Sequence, residues 1–408
     1  MAGNVVTAAV FAIGSELLEG SIVDTNSAWI GSHLVKHGIN VEDTRLIPDN
    51  MDRMAELFVE AAEKYDLIIT TGGLGPTFDD LTAEVVSRVS GRDYTLNEEQ
   101  LEHIRKRLLK FGIQLKENHY HQAKLPDGCK TFFNRMGTAF GFSVPCGNSR
   151  IISMPGIPFE MKPMFEEQVL PWLHELFPLR ERFIRDLRIA GKPESEVDDV
   201  IRELGIPEGI ECIINVGKGD ILVKVRGFDE AAVHRFAEAV RKPFENNFIG
   251  YGDETFPVRL VRMLKEKGYS IGFAESCTGG MMGAEITSVS GSSAVFSGSV
   301  VSYSNDVKTN VLGVPADVIE SHGAVSAECA AAMAEGAKKL LGTDCAAAVT
   351  GIAGPDGGTA EKPVGTVFIA VNVNGKIEVK GYGFNGDRPA VRERTVKTAF
   401  AWLIDLLK

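Results

Sequence analysis

Between residues 5 and about 90, short apolar runs alternate with segments whose apolar positions recur every three or four residues. "VVTAAVFAIG" predicts a strand. "DTNSAWIGSHLVKHG" predicts a helix, with Asp24 as its N-cap and Gly38 as its C-terminal stop. "INVEDTRLIP" reads as a second strand, 51–64 as a helix, and "DLIITT" as a third, almost wholly apolar strand. "FDDLTAEVVSRVSG" and "NEEQLEHIRKRLLKFG" read as helices. Shorter strands near 129–133, 139–144 and 150–154 precede a helix near 159–177. Strands alternating with helices imply a parallel sheet covered on both faces.

The pattern changes between about 180 and 246. Strand 183–190, helix 193–204, strands 210–216 and 221–227 and helix 229–245 form a small β-α-β-β-α module, with "GKGD" (217–220) as its hairpin turn. "NNFIGYGDETF" (246–256) is rich in Gly and Asn and reads as a linker. From 257 onward, alternation resumes. Helix 257–268, strand 269–274, a helix from 279, strand 294–303, helices near 305–341, strand 344–350, strands 364–372 and 376–383, and helix 387–407 follow. The expected class is α/β: two domains with mainly parallel sheets, 1–178 and 257–408, separated by the module (179–247) and the linker (248–256).

Composition narrows the function. A chain of 408 residues exceeds one ordinary core. The net charge of −12 disfavours a protein built to grip nucleic acid. The six cysteines form no C-x-x-C pair, which argues against a structural zinc site or a disulfide scaffold and points to a reducing cytoplasm. The apolar start has no Lys or Arg before it and reads as a first strand, not a signal peptide. No apolar run reaches the roughly 18 residues of a membrane span. A homodimer is the expected assembly.

Two stretches carry candidate chemistry. "TTGGLGPTFDDLT" (70–82) ends a buried strand and opens a helix, and "GSELLEG" (14–20) ends the first strand. These loops are expected side by side at the sheet's C-terminal edge. Gly72, Gly73 and Gly75 let backbone N–H groups approach a phosphate. Gly14, Glu16 and Thr77 complete the candidate phosphate site. Asp79 and Asp80 would repel a bare phosphate, so they suggest a bridging divalent cation. A blander reading has Asp79 capping the helix and the glycines making only a turn. Neither a P-loop nor a dinucleotide fingerprint is present.

The second stretch is "FAESCTGGMMGAE" (273–285), where a strand gives way to a helix. Ser276 sits where a hydroxyl is exposed near backbone N–H groups, with Gly279 and Gly280 following and Glu275 and Thr278 placed to fix the turn. No histidine stands in a suggestive place. Lys308, in "VVSYSNDVKTNVLGV", is the alternative base, provided that burial lowers its pKa. Tyr303 precedes it by five residues. "AAAVTGIAGPDGG" (346–358) puts Thr350 at a strand tip before a Gly-rich loop containing Gly351 and Gly354. "GDRPAVRERT" puts Arg388 and Arg392 at a helix start, where a guanidinium suits a phosphate or carboxylate. Taken singly, Ser276 reads as an N-cap, Lys308 as a surface lysine and Cys277 as an inert buried thiol. Together, three polar clusters after three apolar strands converge on one sheet edge.

These motifs carry a resemblance. "GSELLEG", "TTGGLGPTFDDLT", "NRMGTAFGF" and "MPGIPFEM" resemble the N-terminal domain of the CinA family, which is similar to molybdopterin-binding folds. "AESCTGG", "VSYSNDVK", "GAVS", "TGIAGPDGG", "KPVGTVFIA" and "GDRPAVR" resemble its C-terminal domain, similar to bacterial nicotinamide mononucleotide deamidases. The resemblance implies metal-dependent cleavage of ADP-ribose to AMP and ribose 5-phosphate in the N-terminal half. In the C-terminal half it implies cofactor-free hydrolysis of the nicotinamide carboxamide, giving nicotinate mononucleotide and ammonia. It makes Ser276 the nucleophile, Lys308 and Tyr303 its assistants, and Thr350 and Arg388 substrate-site residues. It also implies a KH-like middle module, although no G-x-x-G loop is visible there. Phe140 stands where the family pattern has Pro, so no catalytic role is carried over from that loop. The rival reading is a nucleotide- or pterin-binding adaptor serving competence or the response to DNA damage.

Overall fold

The computed structural model describes residues 5–217, 220–245, 247–252 and 254–408. The chain divides into two compact units, Met1–Phe183 and Ile184–Lys408.

The first unit is built on a six-stranded sheet. Its order is Asn40–Ile47, Thr7–Ile13, Leu67–Thr71, Ser149–Met154, Gly141–Cys146 and Lys130–Phe132. The first four strands are parallel and the last two antiparallel. Every residue of Leu67–Thr71 is buried, as expected for a central parallel strand with both faces covered. One face packs on helices Met51–Ala62 and Thr82–Ser90 through Phe11, Phe58 and Val86. The other packs on helix Asn26–Lys36 and the segment after Pro158 through Ile30, Leu34 and Phe165. Because Thr7–Ile13 lies directly beside Leu67–Thr71, the loops opening at Gly14 and Gly72 are neighbours.

Two helix starts differ from expectation. Asp24 is not the N-cap residue; Thr25 is, and Asp24 accepts the Ser27 N–H at 3.0 Å from one position further out. The helix expected from Phe78 begins at Thr82, and neither Asp79 nor Asp80 caps it. The Asp80 carboxylate instead turns back to the Thr77 N–H, 2.8 Å away, closing a turn ahead of the helix.

The second unit holds two sheets. The smaller runs Ile210–Val216, Asp220–Gly227, Phe183–Ala190, Phe248–Tyr251. Helices Glu194–Leu204 and Glu230–Arg241 cover it through Val197, Ile201, Val233 and Phe236. Part of the segment read as a linker is therefore a strand: Phe248–Tyr251 pairs antiparallel with Phe183–Ala190. Four residues containing a glycine give too short a pattern to separate strand from loop. The expected "GKGD" turn includes residues 218 and 219, which lie outside the described residues.

The larger sheet runs Phe296–Val301, Ile271–Glu275, Cys345–Gly351, Thr366–Val373, Lys376–Gly383. Its first three strands are parallel and its last two join as antiparallel neighbours. Helix Ala327–Leu341 lies on one face, against Ala346, Ala348 and Ala370. Helices Phe256–Lys267 and Arg388–Leu406 cover the other through Leu260, Phe273 and Phe400. In register, Glu275 faces Val301 on one side and Val349 on the other. The chain therefore leaves all three strands at the same edge. Among the described residues no helix is long and apolar enough to cross a membrane, and all six cysteines are free.

Candidate active sites

In the second unit the strand Ile271–Glu275 delivers a buried carboxylate to the start of the turn. Glu275 is 0% exposed. Its carboxylate accepts from Thr278 Oγ1 (2.8 Å), Met282 N (3.0 Å), Gly283 N (2.9 Å) and Ser299 Oγ (2.7 Å). Four donors stabilise a buried charge that would otherwise be costly. This is how Glu275 and Thr278 fix the turn. Gly279 and Gly280 have φ of 59° and 93°, backbone that L side chains adopt only with strain, so the reversal after Ser276 requires this pair. The Gly279 N–H is spent on the Ser276 carbonyl at 3.1 Å and is not free for a ligand.

Lys308 comes from the short helix Asn305–Asn310, just past the neighbouring strand. It is 1% exposed, so the surface-lysine reading fails. Its Nζ lies 3.2 Å from Ser276 Oγ, 2.7 Å from the Ser302 carbonyl and 3.3 Å from the Tyr303 carbonyl. Burial lowers its pKa from the ordinary 10.5 and outweighs the smaller opposing pull of the Cys329 and Cys277 thiols. Cys277, also buried, has its thiol pushed up to about 11 by burial, which suppresses the thiolate a nucleophilic cysteine needs.

The remaining candidates separate into rim and frame. Tyr303 is exposed, and its hydroxyl takes a hydrogen bond from Arg388 Nη2 at 2.8 Å. Only its main-chain carbonyl touches Lys308. Arg388 also donates from Nη1 to the Gly354 carbonyl at 2.8 Å, tying the 351–358 loop to the helix start. Arg392 donates to the Thr278 carbonyl at 2.6 Å, which sets a second guanidinium against the Ser276 turn. Thr350 departs from expectation. It is fully buried, and its hydroxyl donates to the Ala324 carbonyl at 2.7 Å, so it ties the strand end to the loop at Ala324 and does not present its side chain to a substrate. Gly351 belongs to the frame as well, since a Cβ there would lie 2.8 Å from the Thr366 carbonyl oxygen. Ser302 and Ser299 were not singled out from the sequence. Their parts, a carbonyl for Lys308 and a hydroxyl for Glu275, depend on which strands are neighbours.

In the first unit, Gly14, Glu16, Gly72, Gly73, Gly75, Thr77, Asp79 and Asp80 all line one cavity of about 580 Å³. Gly72 has φ 107°, and a Cβ there would lie 2.2 Å from the Ile13 carbonyl oxygen; only glycine lets the two loops close up. Among the described residues the lining includes six acidic ones, Glu16, Asp24, Asp49, Asp79, Asp80 and Glu160, and neither Lys nor Arg. Asn26 and Asp49 were not picked out from the sequence. Asn26 holds Thr71 Oγ1 (2.9 Å) and the Gly156 carbonyl (2.7 Å), and Asp49 accepts the Ser15 N–H at 2.8 Å. Among the described residues no three His, Cys, Asp or Glu side chains converge to cage a metal ion. Phe140 is buried in an aromatic group with His103 and Phe133, so its loop is anchored by packing.

Comparison with known proteins agrees with this division. Residues 9–175 match the family described as "Probable molybdopterin binding domain", and residues 253–407 match "CinA C-terminal domain". A CinA-like protein from Citrifermentans bemidjiense is 41% identical over 399 residues, spanning 97% of this chain and 96% of its own. One from Geobacter metallireducens is 39% identical over 403 residues, spanning 97% and 98%. The solved competence/damage inducible protein CihA from Agrobacterium tumefaciens is 40% identical over 38% of this chain and 94% of its own, with a TM-score of 0.37. With relatives this similar from end to end, the chain belongs to the CinA family, a molybdopterin-binding-like domain followed by a CinA C-terminal domain.

Proposed function

We propose that the C-terminal domain is an amidohydrolase that converts nicotinamide mononucleotide to nicotinate mononucleotide and ammonia, with Ser276 as nucleophile and Lys308 as base. The observation that carries this reading is the environment of Lys308 Nζ. A neutral amine has two protons and one lone pair. With the protons on the Ser302 and Tyr303 carbonyls, the lone pair faces Ser276 Oγ, and the serine O–H donates to it. Burial lowers the pKa of this amine, which favours the neutral form that a base needs in the absence of a histidine. Ser276 Oγ then attacks the carboxamide carbon as its proton passes to Nζ. Collapse of the tetrahedral adduct breaks the C–N bond, and the proton goes from Nζ to the leaving ammonia. Water, activated by the same amine, hydrolyses the acyl-serine ester. Arg388 and Arg392 supply positive charge near the turn for the substrate phosphate. Tyr303 serves at the rim, through its hydrogen bond to Arg388.

For the N-terminal domain we propose hydrolysis of ADP-ribose to AMP and ribose 5-phosphate. A pyrophosphate in a cavity lined, among the described residues, by six carboxylates and no Lys or Arg calls for cations to offset the repulsion. The donor set fits a magnesium-like ion held by one or two carboxylates together with substrate oxygens, not an all-protein cage. Asp79 and Asp80 are the proposed holders. Asp80 binds Thr77 through one oxygen, Oδ2, which leaves Oδ1 available. When bound, such an ion neutralises charge on the phosphates. The chain's own residues position the substrate: the Gly73–Gly75 loop and the Gly14 loop beside it, while the Gly72 N–H is taken by the Met154 carbonyl at 3.0 Å.

The test is to incubate the full chain separately with nicotinamide mononucleotide and with ADP-ribose, each with a chelator and with a panel of divalent metals, and to identify the products. Ammonia release indifferent to chelator and ADP-ribose cleavage dependent on metal are expected. Binding of both nucleotides without turnover under any metal would favour the adaptor reading.

A further inference from the structure

A second cavity in the C-terminal unit, about 320 Å³, lies between the small module and the last helix. Its apolar lining includes Ile249 and Phe256, both buried, with Phe248, Phe384 and Ile404. Ala401, on helix Arg388–Leu406, contributes only a methyl group where a larger side chain would fill the space.

The charge of this lining is one-sided. Among the described residues Arg394, Lys397 and Lys408 stand against a single carboxylate, Asp405. Lys397 is paired with Asp220 at 3.1 Å and Lys408 with Asp405 at 2.8 Å. Arg394 donates to the Asn385 carbonyl at 2.6 Å and has no carboxylate partner among the described residues. A half-buried guanidinium that lines a partly apolar hollow and has no carboxylate partner among the described residues is suited to an anionic group attached to an apolar body. Among the described residues no Ser, Cys or His lines the cavity.

We propose that this cleft is a ligand site for a small monoanion with a flat apolar body, such as an aromatic carboxylate or sulfonate. The ring system lies among Phe248, Phe384 and Ile404, and the acidic group meets Arg394. The ligand thus docks on the helix whose first turns hold Arg388 and Arg392.

The probe is 8-anilinonaphthalene-1-sulfonate, an aromatic monoanion whose fluorescence rises in apolar surroundings. It is titrated into the full-length protein, with saturating nicotinamide mononucleotide and ADP-ribose present to occupy other pockets. One saturable site is expected. Ala401→Trp, which fills the cleft, should abolish that phase, and Arg394→Glu should weaken it about tenfold or more, with circular dichroism confirming that each variant is folded. If Ala401→Trp does not fold, Arg394→Glu alone decides. Absence of a saturable phase in the wild type, or variants that titrate like it, would overturn the proposal.

Discussion

Replacing Lys308 with Met tests the buried-amine argument through stability, independently of any substrate. Met keeps a similar length and apolar stem and deletes the titrating group. In the unfolded chain Lys308 titrates near its ordinary 10.5; in the folded chain burial lowers that value. Between the two values the unfolded state carries one proton more than the native state. Wild-type stability therefore rises with pH across this window, by about 1.4 kcal/mol per pH unit. Below the folded pKa both states are protonated and the slope disappears. The Met variant lacks this dependence altogether. It also leaves the Ser302 and Tyr303 carbonyls without their Lys308 bonds, a penalty of about 1–3 kcal/mol that does not vary with pH. The diagnostic quantity is thus the slope of the difference. Relative to wild type, the Met variant should gain as pH falls below 10.5 towards the folded value. For a unit of this size 1 kcal/mol is about 2–4 °C, so the melting-temperature difference should move about 3–6 °C per pH unit inside the window. Calorimetric melts of both proteins at half-unit pH steps measure it. A difference that stays flat from pH 7 to 10 would mean that Lys308 titrates alike in both states, and the neutral-base argument would fail.

Three further outcomes are expected. Glu275→Gln puts an amide N–H among four donors, so the second unit should melt several degrees lower and lose amide hydrolysis; an unchanged melt would show that the buried carboxylate does not hold the turn. Asp80→Asn should lose metal-dependent ADP-ribose cleavage while ammonia release stays at the wild-type rate, and loss of both activities would refute the assignment of Asp80 to the first site alone. Gly72→Ala, whose Cβ would lie 2.2 Å from the Ile13 carbonyl oxygen, should lower the melting temperature of the first unit and abolish ADP-ribose binding measured by calorimetry; wild-type binding would show that the loops tolerate separation.

The legible parts of the fold were those set by local pattern. Leu67–Thr71 and Cys345–Gly351 are buried along almost their whole length, so they read as apolar runs with no competing interpretation. The turn at Gly279–Gly280 was legible because two adjacent glycines have few other uses. The illegible parts depend on long-range partners. The helix after Gly75 starts at Thr82 because the Asp80 side chain is drawn to Thr77, a choice the acidic pair does not reveal. Phe248–Tyr251 becomes a strand only because Phe183–Ala190 offers an edge more than fifty residues earlier. Lys308 sits in a polar stretch with the composition of a surface helix. Its burial comes from neighbouring strand ends that bring Ser276 and Ser302 around it. Thr350 misled for the opposite reason: its place at a strand tip suggested a ligand, but the Ala324 carbonyl takes its hydroxyl.

The central claim is that Ser276, and not the adjacent Cys277, attacks the amide. The most direct measurement is kcat/KM for ammonia release from nicotinamide mononucleotide by Ser276→Ala and Cys277→Ala, each with its circular dichroism spectrum checked against wild type. A folded Ser276→Ala protein slowed by about three orders of magnitude or more, beside a Cys277→Ala protein near the wild-type rate, is the predicted result. A Ser276→Ala protein that keeps more than about a tenth of the activity while Cys277→Ala loses it would contradict the account, since loss of the nucleophile cannot cost so little.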